Sequence, residues 1–337
     1  MGTSGAPRCG ALLRASAQQR LFPERGPRVA YYILRRILQV IPVFLGATLL
    51  IYFMVFGLPG DPIASLFGDK QPPQAVIDAI REQYRLNDPF IVQYANYLAG
   101  IFRFDFGTTF SGQSVNDVLA RTVPVTMRLA VMSVAIAFVL ALIIGALSAI
   151  WKGSIFDNGA LVTALIFIAI PIFVLCFLAQ YFLGVQLGWF RPTVGGQNDW
   201  GDLWLPAIVL GLSIYASSMR LTRASMIETL GQDWVRTAYS KGLSRRRVIP
   251  VHVLRNSMIP MVTDTATQFG VLMVGATVTE GIFNVPGVGN TLFRAITSRE
   301  TPTIVSFVTI FVVIYVLVNL VVDLLYGLLD PRIRYVK

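Results

Sequence analysis

Few side chains in this sequence could do chemistry, and their types narrow what it could be. His252 is the only histidine, so neither a histidine pair nor a His-based zinc site can form. A lone histidine is most simply structural. Cys9 and Cys176, the two cysteines, fit neither a disulfide scaffold nor a thiolate metal site. Cys176 lies in an apolar run as a small core residue, and Cys9 follows no apolar signal-peptide core that would suggest a lipid anchor. No Gly-x-x-x-x-Gly-Lys-Ser/Thr phosphate loop, Gly-x-Ser-x-Gly elbow or His-Glu-x-x-His pair occurs. The chain is therefore expected not to hydrolyse ATP itself, and a membrane enzyme is a poor fit.

Acids inside apolar segments are the remaining candidates, because a charge there is costly unless it has a use. Asp264 stands among Thr263, Thr265, Thr267 and Gln268. It either lines a polar pathway or sits at a membrane edge, paired with backbone or an arginine. Asp323 is better placed to anchor the C-terminal end. Two acids are too few for a proton relay. Thr263, Thr265, Gln268, Thr277 and Glu280 could line a pathway or merely pack helices together.

The elements that position these residues follow from composition. Of 337 residues, 55% are hydrophobic and 14% charged, and the mean hydropathy is +0.64. Soluble domains carry about 25% charged residues. This is an all-α polytopic membrane protein. A bilayer core of about 30 Å needs roughly 20 apolar residues in a helix. Five runs qualify: Ile37–Phe56, Leu129–Ile150, Ala160–Val185, the short Leu203–Met219, and Ile304–Leu325. A weaker sixth, Pro260–Val278, brings the count to six transmembrane helices and puts both termini on one side. That side carries 19 basic residues against five acids, and the other nine against 11. Both termini are therefore expected in the cytoplasm. The net charge of +10 is spread between apolar runs rather than gathered on a soluble face, which argues against nucleic acid.

Residues 1–30, rich in Arg, Gly, Ala and Pro, are expected to be a disordered extension, or translation begins near Val29. Residues 31–56 hold the first transmembrane helix, 57–128 a small extracytoplasmic subdomain, and 129–337 a five-helix core. In the subdomain, Val76, Ile77, Ile80 and Tyr84 follow Pro72 and Pro73 at helical spacing.

The long cytoplasmic loop 220–259 is the most informative stretch. Met226, Leu230, Trp234 and Ala238 recur every fourth residue, with Ile227 and Val235 alongside, which predicts one helical face. Lys241 suits a helix C-terminus, Gly242 a left-handed stop, and Ser244 the cap of a following helix. Pro250 should kink that second helix. The product is a knob with an apolar tip (Ala238, Leu243) and a basic shoulder (Arg245, Arg246, Arg247). It is either a docking device or an ordinary basic loop held near anionic lipid.

This loop resembles the signature loop of ABC-importer inner-membrane permeases, in the dipeptide/oligopeptide/nickel branch, closest to a dipeptide permease subunit. The generic signature is Glu-Ala-Ala, three residues, then Gly. Here Arg236, Thr237 and Ala238 precede Gly242 at that spacing, with the first two positions departing from the generic form. Thr237 to Leu243 is similar to the peptide-permease variant. The resemblance continues through LPGDP (Leu58–Pro62), LNDPF with Gln93 and Tyr94, and FDFG (Phe104–Gly107). PVT (Pro124–Thr126), EGIFNVPGVG (Glu280–Gly289) and DPRIR (Asp330–Arg334) complete it, in order over about 300 residues.

The resemblance implies a subunit in the bacterial inner membrane that pairs with a sister permease, above two ABC ATPase subunits or domains and below an extracytoplasmic substrate-binding protein. No cofactor is expected on this chain, because ATP and Mg belong to the partners. Arg236, Thr237, Ala238, Lys241, Gly242, Leu243 and Ser244 would form the ATPase-coupling loop. Asp264, Gln268, Thr277 and Glu280 are the candidate pathway residues, with no metal site. The implied substrates are short peptides, with nickel complexes or glutathione-like molecules as alternatives. A stand-alone secondary transporter or a scaffold would need a different explanation of the loop.

Overall fold

The computed structural model describes residues 26–57, 78, 81–82, 87–109, 112–195, 199–298 and 300–329. The stretch 1–25, the LPGDP motif and the DPRIR tail lie outside them, as does most of the amphipathic stretch after Pro73. The described chain is helical, and its one strand-like feature is an isolated bridge between Thr108 and Ser114. Helix α1 spans Gly26–Tyr52, α2 Phe90–Phe102, α3 Val115–Ile150, α4 Ile155–Ala169 and α5 Ile172–Ala179. They are followed by α6 (Trp204–Leu230), α7 (Asp233–Ser240), α8 (Arg245–Val248) and α9 (Arg255–Gly275). The last three are α10 (Thr277–Phe283), α11 (Val288–Thr297) and α12 (Thr301–Leu329).

Among the described residues four helices are long and apolar enough to cross a membrane, and the number reaches six if each of two bent pairs counts as one span. The third expected run is one of those pairs. α4 and α5 meet at 102°, because Ile170 takes an extended conformation before Pro171, which cannot continue a helix. The second expected run starts earlier than hydropathy suggested: α3 begins at Val115, so residues 115–128 continue into the span as one helix.

α3 and α6 form the central packed pair. Membrane helices gain little from burying apolar surface against each other, so small residues that admit close backbone approach decide where they pack. A Cβ on Gly145 of α3 would lie 2.8 Å from the Met219 carbonyl of α6. The main core cluster gathers Leu129, Leu205, Leu210, Leu272 and Phe283 around this pair. α2 lies across the bundle on polar pins. Tyr94 donates to the Leu45 carbonyl at 3.0 Å, and Tyr97 hydrogen-bonds Thr309 of α12. Gln93 donates to the Asp88 carbonyl at 2.7 Å, fastening the LNDPF turn to the same helix.

Candidate functional site

The knob is built differently from the expected single face. α6 stops at Leu230, where the Gly231 N–H bonds back to Ile227 and Glu228. Gln232 is extended, and Asp233 opens the next helix where its charge suits the N-terminal dipole. The break rotates the register. Val235, expected on the apolar face, is the buried residue of α7, whereas Trp234 is 40% exposed.

α7 ends in a Schellman motif. Gly242 N–H donates to the Tyr239 carbonyl (2.9 Å), Leu243 N–H donates to the Ala238 carbonyl (3.3 Å), and Gly242 has φ +81°. Such a motif brings the third-last helical residue against the residue after the glycine. Ala238 and Leu243 accordingly turn inward, into a cluster with Ala149, Met226, Val235, Val248 and Val253. The expected apolar tip is thus the motif's inner contact. The spacing of Ala238 and Gly242 is what this motif demands. The outward face carries Trp234 and Tyr239 with Arg236, Thr237, Lys241 and the Arg245–Arg247 run, all exposed.

Ser244 occupies the cap position of α8, but its hydroxyl makes no cap bond; its carbonyl accepts from Arg247 N–H at 2.9 Å. Pro250 falls in a π-helical stretch, Ile249–Leu254, which leads into α9. A wider helical turn accommodates the missing N–H that would otherwise break an α-helix.

A fastener absent from the sequence reading ties the knob to the bundle. Asp157, 1% exposed, takes a two-pronged pair from Arg223, with Nε at 2.6 Å and Nη2 at 2.7 Å. It also accepts from Ser148 and from Gly153 N–H (2.8 Å). These contacts join α3, the 151–154 turn, α4 and α6 just before α6 enters the knob. Arg245 adds a bond to the Ile150 carbonyl at 3.3 Å. A Ser-x-x-Asp cap at Ser154 and Asp157, directly before an apolar run, was the available signal.

The four candidate pathway residues are not gathered in one place. Asp264 is half-buried on α9 and accepts from Ser218 of α6. Gln268, one turn further, and Thr277, which opens α10, are also half-buried. Glu280 is 0% exposed. Its carboxylate accepts from the Thr126 hydroxyl at 2.7 Å and from Asn290 N–H at 3.0 Å, while Thr126 accepts from Val288 N–H at 2.9 Å. Glu280 and Thr126 thus cap α11 from two other helices, joining the PVT and EGIFNVPGVG motifs. A Cβ on Gly287 would lie 2.3 Å from Glu280 Oε2, so the loop closes only with glycine there.

Residues 139–335 match the profile described as "Binding-protein-dependent transport system inner membrane component", and residues 29–130 match that family's N-terminal region. The chain belongs to this family. It is an ABC-importer permease of the bacterial inner membrane. A peptide transport system permease of Brucella abortus is 36% identical over 310 residues, covering 90% of this chain and 98% of the relative. A glutathione transport system permease of Salmonella typhimurium is 37% identical over 305 residues, covering 90% and 99%. A solved methionine ABC transporter in an inward-facing conformation matches with a TM-score of 0.46 and 18% identity, over 61% of this chain and 94% of that one. Within this permease family profile fall the whole knob, both partners of the Asp157–Arg223 pair and Glu280; Thr126 falls within the N-terminal match.

Proposed function

We propose that this permease pairs with a sister permease to form the pathway for short peptides, with six spans and both termini in the cytoplasm. A binding protein delivers peptide from outside, and two ATPase subunits bind below. The knob formed by α7 and its Gly242 turn seats in a groove on one ATPase. The observation that carries this reading is the knob's construction: a rigid, fastened base with an outward face of aromatic and basic side chains. Closure of the ATPase pair moves the knob, and the packed base passes that movement to α3 and α6. A patch that bound both pathway conformations equally would shift neither.

Asp264 and Gln268 on α9, with Thr277, are the residues we assign to the pathway wall; Glu280 is assigned to holding α11. Peptide is favoured as substrate because relatives serve peptide and glutathione systems. The binding protein does the selecting. Gly242→Pro forbids the positive φ of the turn, and Gly242→Asp puts a charge at the tip and strains the same turn. In liposomes holding the full complex, either variant should keep the partners assembled but lose peptide import. Normal import by an assembled Gly242→Pro complex would refute the docking role.

A further inference from the structure

Next to the Glu280 hub lies a cavity of about 370 Å³ between α3, the 190–195 loop and α11. The side chains of Thr122, Asn284, Asn290, Thr291 and Arg294 line it, and among the described residues no carboxylate does. Asn284, held at φ +53° where α10 ends, is its pivot. Its amide oxygen accepts from Arg294 Nη2 at 2.8 Å and from Asn290 Nδ2 at 3.4 Å. The Asn284 oxygen is thereby occupied, and its NH₂ is left as a donor. A guanidinium has five N–H donors, so Arg294 keeps most of its fork for a planar anion. The Thr122 and Thr291 hydroxyls donate to their own helices, to the carbonyls of Val118 and Gly287, each at 2.9 Å. Their oxygens therefore remain acceptors.

The cavity thus combines a cation and amide donors for a carboxylate with hydroxyl oxygens for N–H groups. That pairing matches the free end of a peptide. Its volume falls in the range of roughly 300–1,000 Å³ typical of small-molecule sites, more than one docked side chain needs. α11, one of its walls, packs closely on the first residue of α10, where a Cβ on Gly289 would lie 2.6 Å from Thr277 Cα.

The geometry points to this cavity as a receiving site for the carboxylate end of a short peptide, with Arg294 taking the carboxylate. The inference rests on the peptide-import reading above. It is tested in liposomes holding the full complex with its binding protein, using radiolabelled Ala-Phe as probe. Arg294→Gln should lower import at saturating binding protein by at least about tenfold, as loss of a charge-assisted bond implies. Arg294→Lys should recover part of it. The binding-protein concentration giving half-maximal ATPase stimulation should not change. Import equal to wild type overturns the proposal. So does a raised half-maximal concentration with full import at saturation, which would make the cavity a dock for an acidic side chain of the binding protein.

If Arg294→Gln does not assemble, photo-crosslinking in the wild-type complex decides. A benzophenone analogue of Ala-Phe should label residues 284–294, and its C-terminal amide should not. Labelling elsewhere, or equal labelling by both, overturns the site. A wild-type complex whose ATPases respond to the binding protein but which imports no dipeptide overturns the peptide reading, and this proposal with it.

Discussion

Glu280 is a buried carboxylate, and among the described residues its hydrogen-bond donors are the Thr126 hydroxyl and the backbone amides of Gly289 and Asn290. Burying a carboxylate is costly unless hydrogen bonds replace water, and here they do so while fixing the start of α11. Thr126 is the vulnerable member, because it donates to Glu280 and accepts from Val288. Thr126→Val keeps the shape but takes the hydrogen bond from Glu280 Oε1 and from Val288 N–H, at about 1–3 kcal/mol for each. The purified complex should unfold at a distinctly lower temperature, followed by tryptophan fluorescence. Thr126→Ser should stay close to wild type, and equal melting of the Val and Ser variants would show that the hydroxyl is idle. Sequence alone marked Glu280 as polar in an apolar setting, which suits a pathway as well as a buried cap. The distinction depended on Thr126, 154 positions away, and on an amide of α11. No spacing rule along one chain connects those three groups.

Among the elements, the knob and its base act as one body because two different fasteners meet there. The apolar one joins Ala149 to Val235 and Val248; the ionic one joins Asp157 to Arg223. Removing one partner of a buried pair is worse than never having had it, since the other charge is left stranded. Arg223→Gln should therefore loosen α6 from α4 while leaving the knob's outward face intact. The expected result is an assembled complex that still hydrolyses ATP, with peptide imported per ATP down at least about fivefold, the low end of usual coupling energies. The double variant Asp157→Asn with Arg223→Gln should recover part of that ratio. If import and hydrolysis fall in parallel with assembly, the pair is structural only. The turn at Gly242 was legible, because a left-handed glycine after a basic residue has a local cause. The break at Gly231 was less so: the period-four apolar pattern ran through it, although Gly231 and Asp233 together spell a stop and a start. Ala238 was misplaced for the same reason, its inward direction being set by Leu243 across the turn.

At the scale of the molecule, loops assigned by charge to one side also meet in space. Asp157 reaches Arg223, and Arg245 reaches Ile150, at one end of the bundle. At the other, Val194 N–H bonds the Phe283 carbonyl at 2.8 Å and the Ser306 hydroxyl bonds the Phe106 carbonyl at 2.9 Å. Hydropathy and basic residues act segment by segment. The sharp angle at Pro171 they did not carry, because an apolar run reads alike whether straight or bent. Whether each bent pair crosses the membrane therefore decides the topology. Between Lys152 and Ser298, both exposed, lie α6 and the two bent pairs. If all three cross, the two positions face opposite sides; if one bent pair turns back, they face the same side. With Cys9 and Cys176 replaced by serine, Lys152→Cys and Ser298→Cys can be probed separately with a membrane-impermeant maleimide. Ser298→Cys should label in intact cells, and Lys152→Cys only after permeabilisation. Labelling of both from outside would leave one bent pair re-entrant and break the six-span arrangement. The reversed pattern would place the basic knob outside, away from any ATPase, and the coupling mechanism would fall with it.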